Sequence, residues 1–195
     1  MRLHNLVFEQ QITKFKSLLE QVRKQLIAAQ THLDIWEQLW PTEDNMKTIN
    51  AYRGFFLPTR SAHLDEFFIK VSNVVDSDPR APSFYRLLRA ISNAPNLAPG
   101  VDVQLMHVQL RREKDLLKRL KVYRNKRAAH WDTEVSEPLD PVFLGEVKQL
   151  LIELEKMFNK INIAHAGGGR FVFQWVQYRD TSHVLDRLRQ TRKNS

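Results

Sequence analysis

The chain has 195 residues, of which 43% are hydrophobic and 27% charged, and it contains no cysteine. That balance is ordinary for a globular protein, while the missing cysteines exclude disulfides and thiolate catalysis. No run approaches the ~18 consecutive apolar residues of a membrane span, and a formal net charge of +8 points to an anionic partner, nucleic acid first.

The length predicts one domain over 1–195, ending in a basic tail at about 187–195. Met1-Arg2-Leu3-His4-Asn5 has no signal-peptide core, so a cytoplasmic location is expected. From about Leu6 to Trp40, apolar residues recur at helical spacing through Phe15, Leu18, Leu19, Val22, Leu26, Leu33, Trp36 and Leu39. Pro41 stops this helix, and Thr42 followed by Glu43 and Asp44 reads as the cap of the next, which runs toward Phe55 and Phe56. Pro58 is expected to interrupt it, with a further helix through Leu64, Phe67, Phe68 and Val71 to about Val75. Asp76-Ser77-Asp78-Pro79-Arg80 is a turn cluster, Ser83 to Ile91 a short helix, and Asn93 to Gly100 a break.

One long helix is predicted from about Val101 to Ala129, followed by a loop from Glu134 to Asp140. Asp140-Pro141 reads as a cap with proline in the first turn of another helix. Its stripe is Phe143, Val147, Leu150, Leu151, Leu154, Phe158 and Ile161, and Gly167-Gly168-Gly169 ends it. Arg170 to Tyr178 alternates as a strand would, although a buried helix fits too; Asp180-Thr181 caps a final helix. The fold class is therefore all-α, a bundle of about six or seven helices.

The chemistry concentrates in Arg124-Asn125-Lys126-Arg127-Ala128-Ala129-His130. Arginine grips phosphate through two parallel hydrogen bonds, and histidine moves protons near neutral pH. At about 100° per residue, Met106, Leu110, Leu117, Leu120 and Ala128 form one apolar stripe, with Arg124 near its middle. A cation in such a seam needs a partner or a polar cleft. Glu113, on the same face, offers a structural ion pair as the plain alternative. Because Arg124→Ala removes a cation from that seam, it should leave folding intact or slightly improved. His130 lies about 120° around the helix, beside Tyr123 and Arg127. It is either a phosphate-facing acid–base group or a helix-terminal histidine held by the macrodipole. Asn125 can orient either group, while Lys118, Lys121, Lys126 and Arg127 form a basic row able to track a phosphate backbone.

The other constellations point away from chemistry. His63-Leu64-Asp65-Glu66 lacks a second ligand cluster, so neither a metal site nor a cofactor is expected. His165 to Arg170 lacks the preceding strand and the lysine of a phosphate loop. Phe171, Phe173, Trp175 and Tyr178 read as core or dimer packing ahead of base stacking, and Trp36, Trp40 and Trp131 as core or interface anchors.

The segment Arg124 to His130 resembles the arginine, polar residue, histidine signature of HEPN domains. Trp36 and Trp40, Phe55-Phe56, Val71-Ser72-Asn73-Val74-Val75-Asp76 and Ser83 to Ile91 occur in an order similar to the AbiU-type abortive-infection branch. The likeness spans about Leu18 to Phe158. It implies a HEPN-like helical fold and a metal-independent endoribonuclease of phage defence or a toxin–antitoxin system, paired as a homodimer across a shared cleft. Arg124 would then stabilise the scissile phosphate, His130 would transfer protons, and Asn125 would support them. The partners implied are RNA, a second copy, and an antitoxin or other defence protein, with no membrane. The alternative is a catalytically silent HEPN-like module that binds RNA or protein. Nucleotide-transfer-controlled members carry a tyrosine two residues after the histidine, where this chain has Asp132. The likeness therefore does not extend to that control.

Overall fold

A computed structural model describes residues 2–128, 140–167, 169–173 and 180–193. Among them are eight α-helices and no strand. They are α1 (Arg2–Gln38), α2 (Glu43–Ala51), α3 (Arg53–Val74), α4 (Phe84–Asn93), α5 (Val103–Arg112), α6 (Lys114–Ala128), α7 (Leu144–Ala166) and α8 (Asp180–Lys193). None of the described helices is long and apolar enough to cross a membrane.

Each helix buries the face its sequence period supplies. On α1, Phe15, Leu18, Leu19, Val22, Leu26, Ala29 and Leu33 are buried, spaced by three and four residues as a single stripe requires. Its main partner is α3, which contributes Phe67, Phe68, Val71 and Val74. Phe84, Leu87, Leu88 and Ile91 of α4 and the Val147–Ile161 stripe of α7 complete one contiguous apolar cluster. A smaller cluster joins Leu39, Ile49, Phe56 and Leu185, so it ties α8 to the α1–α2–α3 corner. Such burial is the main favourable term in folding, worth about 1.5–3 kcal/mol for each large side chain.

Several boundaries differ from the pattern-based expectation, for identifiable reasons. Pro58 sits inside α3, and the break falls at Tyr52. The Phe55 and Phe56 amides both donate to the Tyr52 carbonyl, which reopens the helix at once. A proline there has no amide to give the Gly54 carbonyl and its ring crowds that carbonyl, yet α3 continues through it to Val74. The expected helix over 101–129 is two, because the Glu113 backbone leaves helical geometry and its amide donates to Leu110 and Arg111. This break re-phases the apolar face. Met106 and Leu110 are followed in the core by Leu116 and Leu120, while Leu117 is only half-buried. The helix count rises from seven to eight at this point.

α7 starts at Leu144 rather than Pro141, and Phe143 is exposed. The Pro141 carbonyl, which would open the ladder, instead accepts from Arg119 Nη1 at 2.5 Å. Gly167 ends α7 at φ +62°, a left-handed conformation that glycine tolerates best. Residues 170–173 are neither strand nor helix. Buried Asn159 fixes them by donating to the Phe171 carbonyl at 3.0 Å and accepting from its amide at 2.7 Å. Phe173 packs edge-on against Phe158, so this part of the aromatic run is core. Residues 174–178, and the expected loop over 134–139, lie outside the described residues. Trp36 and Trp40 contact each other at 5.0 Å, but Trp40 is exposed beneath the Arg60 guanidinium.

Glu155 on α7 carries an electrostatic cost. Burial, with the nearby Asp34 carboxylate, pushes its carboxyl up to about 7, against a smaller pull from Arg170. A carboxyl raised in the fold makes stability fall as pH rises from its unfolded value near ~4.3 to about 7. Glu155→Gln is therefore expected to raise the melting temperature by a few degrees at about pH 8 and to flatten the slope between about pH 5 and 7. Parallel thermal melts of both proteins check this; identical pH slopes would refute it.

Candidate functional site

The site grows from the packing of α6 on α3. Leu116 and Leu120 are buried, and Tyr123 meets Phe68 edge-on with ring centroids 5.2 Å apart. That seat sends the polar side chains of the last two described turns of α6 to opposite sides of the seam. On one side, the Tyr123 hydroxyl donates to Asp65 through a short bond. Arg127 pairs with the same carboxylate at 3.1 Å, its guanidinium lying over the Tyr123 ring. Burial and the Asp65 carboxylate push the Tyr123 phenol up.

On the other side, Arg124 reaches the end of α3. Its Nη1 donates to Asp76 Oδ2 at 2.5 Å and to Asn73 Oδ1 at 3.3 Å. Its Nε and Nη2 face Asn125 Oδ1 at 3.4 Å each, a distance that makes those contacts weak. One nitrogen thus anchors the guanidinium, and the opposite edge is lightly held.

The turn after α3 aims Asp76. Its Oδ1 accepts from the Asp78 amide at 3.0 Å, and Asp78 Oδ1 accepts from the Arg80 amide at 2.8 Å. These are two successive Asx turns, a geometry for which aspartate is suited. Burial alone would raise the Asp76 carboxyl, but the Asp78 amide and the Arg124 guanidinium together hold it below its usual value.

The sequence-derived site residues fall into three groups. Arg124, Lys118 and Lys121 line one cavity of about 230 Å³, between the end of α3, the start of α4 and α6. Asn125 is exposed and adjoins Arg124. Arg127 is turned away, engaged with Asp65, and Lys126 is half-buried on the same helix. His130, with Trp131 and Asp132, lies outside the described residues. The proposed ion pair with Glu113 is not formed; Glu113 is exposed at the α5–α6 break, and Asp76 takes that place. Asn73 and Asp76 are therefore site residues that pattern reading missed. Their signal was Asn73 in the last turn of α3 and Asp76 just beyond its end, flanking the apolar pair Val74-Val75. Among the described residues, no group of three or more histidines or carboxylates is placed to hold a metal ion. His63 instead shares a 2.8 Å Nδ1–Nδ1 contact with His32.

The Asp76 partner also reverses the stability expected of Arg124→Ala. The two side chains are only 19% and 14% exposed, so removing either leaves a poorly hydrated charge behind. Arg124→Ala and Asp76→Ala are each expected to cost about 1–2 kcal/mol, between the ranges for exposed and buried pairs. The double variant should lose less than the sum. The Asp76 contribution is present at neutral pH, above the unfolded carboxyl value of ~3.9, and disappears as pH falls through the lower folded value. Denaturant titrations of the four proteins at about pH 7 and pH 3 measure the coupling. Strict additivity at neutral pH would show that the pair contributes nothing.

Compared with known families, residues 12–186 match the family model HEPN_AbiU2, described as AbiU2. No curated protein and no solved structure matches the chain. The family match covers nearly all the described helices, including the α3 end and α6 on which Arg124 is mounted. The chain therefore belongs to the AbiU2 family of HEPN proteins.

Proposed function

We propose that this protein is a metal-independent endoribonuclease effector of a prokaryotic abortive-infection or toxin–antitoxin system. The observation that carries the reading is the mounting of Arg124. Asp76 fixes one nitrogen, the Nε/Nη2 edge stays lightly held, and Lys118 and Lys121 line the same cavity. A guanidinium edge of that kind suits bidentate phosphate recognition.

In the proposed reaction, the ribose 2′-oxygen bonds to its adjacent phosphorus while the bond from phosphorus to the 5′-oxygen breaks. His130 takes the 2′-hydroxyl proton, and the His130 of a second copy gives a proton to the departing 5′-oxygen. Arg124 meets the charge that develops on the phosphate oxygens, with Asn125 supporting it. No step calls for a cation. Leu105, Val108 and Val122 are large apolar side chains exposed on α5 and α6, which supports pairing of these helices across a two-fold axis.

One observation favours a second reading. Arg124 already has a carboxylate partner, as a structural arginine in a catalytically silent RNA- or protein-binding HEPN module would have.

Cleavage assays on RNA separate the two. Arg124→Ala is expected to lower cleavage by about 10²–10³-fold and His130→Ala by about 10²–10⁴-fold. Lys118→Ala should weaken binding modestly and reduce its salt dependence, without abolishing turnover. Cleavage should also persist in EDTA. Full activity in Arg124→Ala, or activity lost in EDTA and restored by magnesium, would sink the ribonuclease assignment. For the pairing, the mass in solution is expected at about twice the 23.0 kDa of one chain. A monomer at micromolar concentration would remove the second histidine from the mechanism.

A further inference from the structure

We propose that the cavity beside Arg124 is a nucleobase subsite, taking one base of single-stranded RNA next to the phosphate that Arg124 holds. This rests on the ribonuclease reading and names where the neighbouring nucleotide goes.

The cavity walls differ in chemistry. Val75, Leu117 and the Tyr85 ring supply apolar and aromatic surface, while Lys118, Lys121 and Arg124 supply positive charge. A site for phosphate alone has no use for the apolar part. A base needs an aromatic or apolar surface to lie on, with cations nearby for the phosphates that flank it. At about 230 Å³ the space holds the equivalent of roughly seven or eight waters. That suits a base, whereas a complete nucleotide would leave its sugar and phosphate at the rim.

Tyr85 is well placed for this. It is half-buried near the start of α4 and packs against the main apolar cluster. The His107 ring of α5 lies roughly parallel to it, centroids 6.2 Å apart and planes 29° apart. A ring supported in this way loses little freedom when a base stacks on it. Burial pushes its phenol up, so the ring stays neutral. Ser72, Asp76 and Ser77 also line the cavity and bring hydrogen-bonding atoms that can meet a base edge. Asp76 would then touch both halves of the site, anchoring Arg124 while facing the base.

The test uses the full chain and 2′-O-methyl RNA octamers, which lack the attacking hydroxyl and cannot be cleaved. One octamer is intact, and the others carry a single abasic residue at successive positions. Binding is measured by fluorescence anisotropy for wild type, Tyr85→Phe, Tyr85→Leu and Ser77→Trp, with thermal melts confirming that each variant is folded. For wild type, one abasic position should weaken binding by about tenfold, and the others should have little effect. Tyr85→Phe should keep that position dependence. Tyr85→Leu, which keeps an apolar side chain but removes the ring, should lose it, as should Ser77→Trp, which obstructs the cavity. Equal affinity for all octamers in wild type, or an unchanged profile in both Tyr85→Leu and Ser77→Trp, overturns the subsite. Tighter binding of free nucleoside monophosphates than of the octamer overturns it too, because the cavity would then serve a small ligand. Cleavage of unmodified RNA is assayed separately. Position-dependent binding without cleavage would refute the ribonuclease reading and leave the subsite standing, and cleavage without position dependence would do the reverse.

Discussion

A guanidinium placed in an apolar seam is the constraint on which this architecture turns. α6 needs Leu116 and Leu120 inside, and that rotation carries Arg124 toward the end of α3. Desolvating a charge there is affordable only if a carboxylate meets it. Asp76 does so because two Asx turns hold the chain in place just after α3 stops. The seating of α6 on α3 and the candidate site therefore share one contact. The same aspartate fixes the angle between two elements and presents one edge of the arginine to a cavity. A second carboxylate, Asp65, holds the opposite side of α6 through Tyr123 and Arg127. The helix is thereby pinned on both flanks before any ligand arrives, which is the preorganisation that phosphate recognition rewards.

The strongly periodic parts of the chain were legible from sequence. The α1 stripe from Phe15 to Leu33, the α7 stripe from Val147 to Ile161, the short helix at α4, the Thr42 cap and the turn at Asp76 to Arg80 all follow from local chemistry and hold in three dimensions, whereas Phe143 of the expected α7 stripe is exposed. Junctions were not legible, because competing backbone partners decide them. Pro141 offered a good helix start, but its carbonyl is taken by Arg119, twenty-two residues earlier in sequence. Glu113 lies in an unbroken helical pattern, and only the core's choice of Leu116 over Leu117 reveals the slip. The site shows the same division. Arg124 stood out as a charge among apolar neighbours, yet sequence spacing suggested Glu113 as its partner. The actual partner is forty-eight residues away, and nothing in the helical period of α6 points to it.

Basicity also reads differently once contacts are known. A net charge of +8 suggests a broad anionic partner, but much of the α6 charge is already engaged. Arg119 clamps Glu146 and the Pro141 carbonyl, and Arg127 is paired with Asp65. Those arginines hold α6 to α7 and α3. Lys118 and Lys121 have a different setting, at the cavity that Arg124 lines. Among these α6 cations, Arg119 and Arg127 serve structure and Lys118 and Lys121 line the cavity, with Arg124 straddling both. This matches the physical difference between the two side chains.

Proton transfer sets the remaining demand on the chemistry. A guanidinium stabilises negative charge but cannot give up its proton near neutral pH. Asp76 is held below the usual carboxylate range, against the effect of its own burial, so it is a poor base for a hydroxyl. Tyr85 and Tyr123 are pushed the other way by burial and keep their protons. No histidine lines the cavity among the described residues. Among the described residues, the lining of this cavity offers cations suited to stabilising negative charge but no histidine to exchange protons near pH 7. Under the proposed function that exchange falls to His130, six residues beyond Arg124 in the sequence, and to its counterpart in a second copy, so the reading divides the chemistry between a charge-stabilising arginine and a separate proton-transfer group.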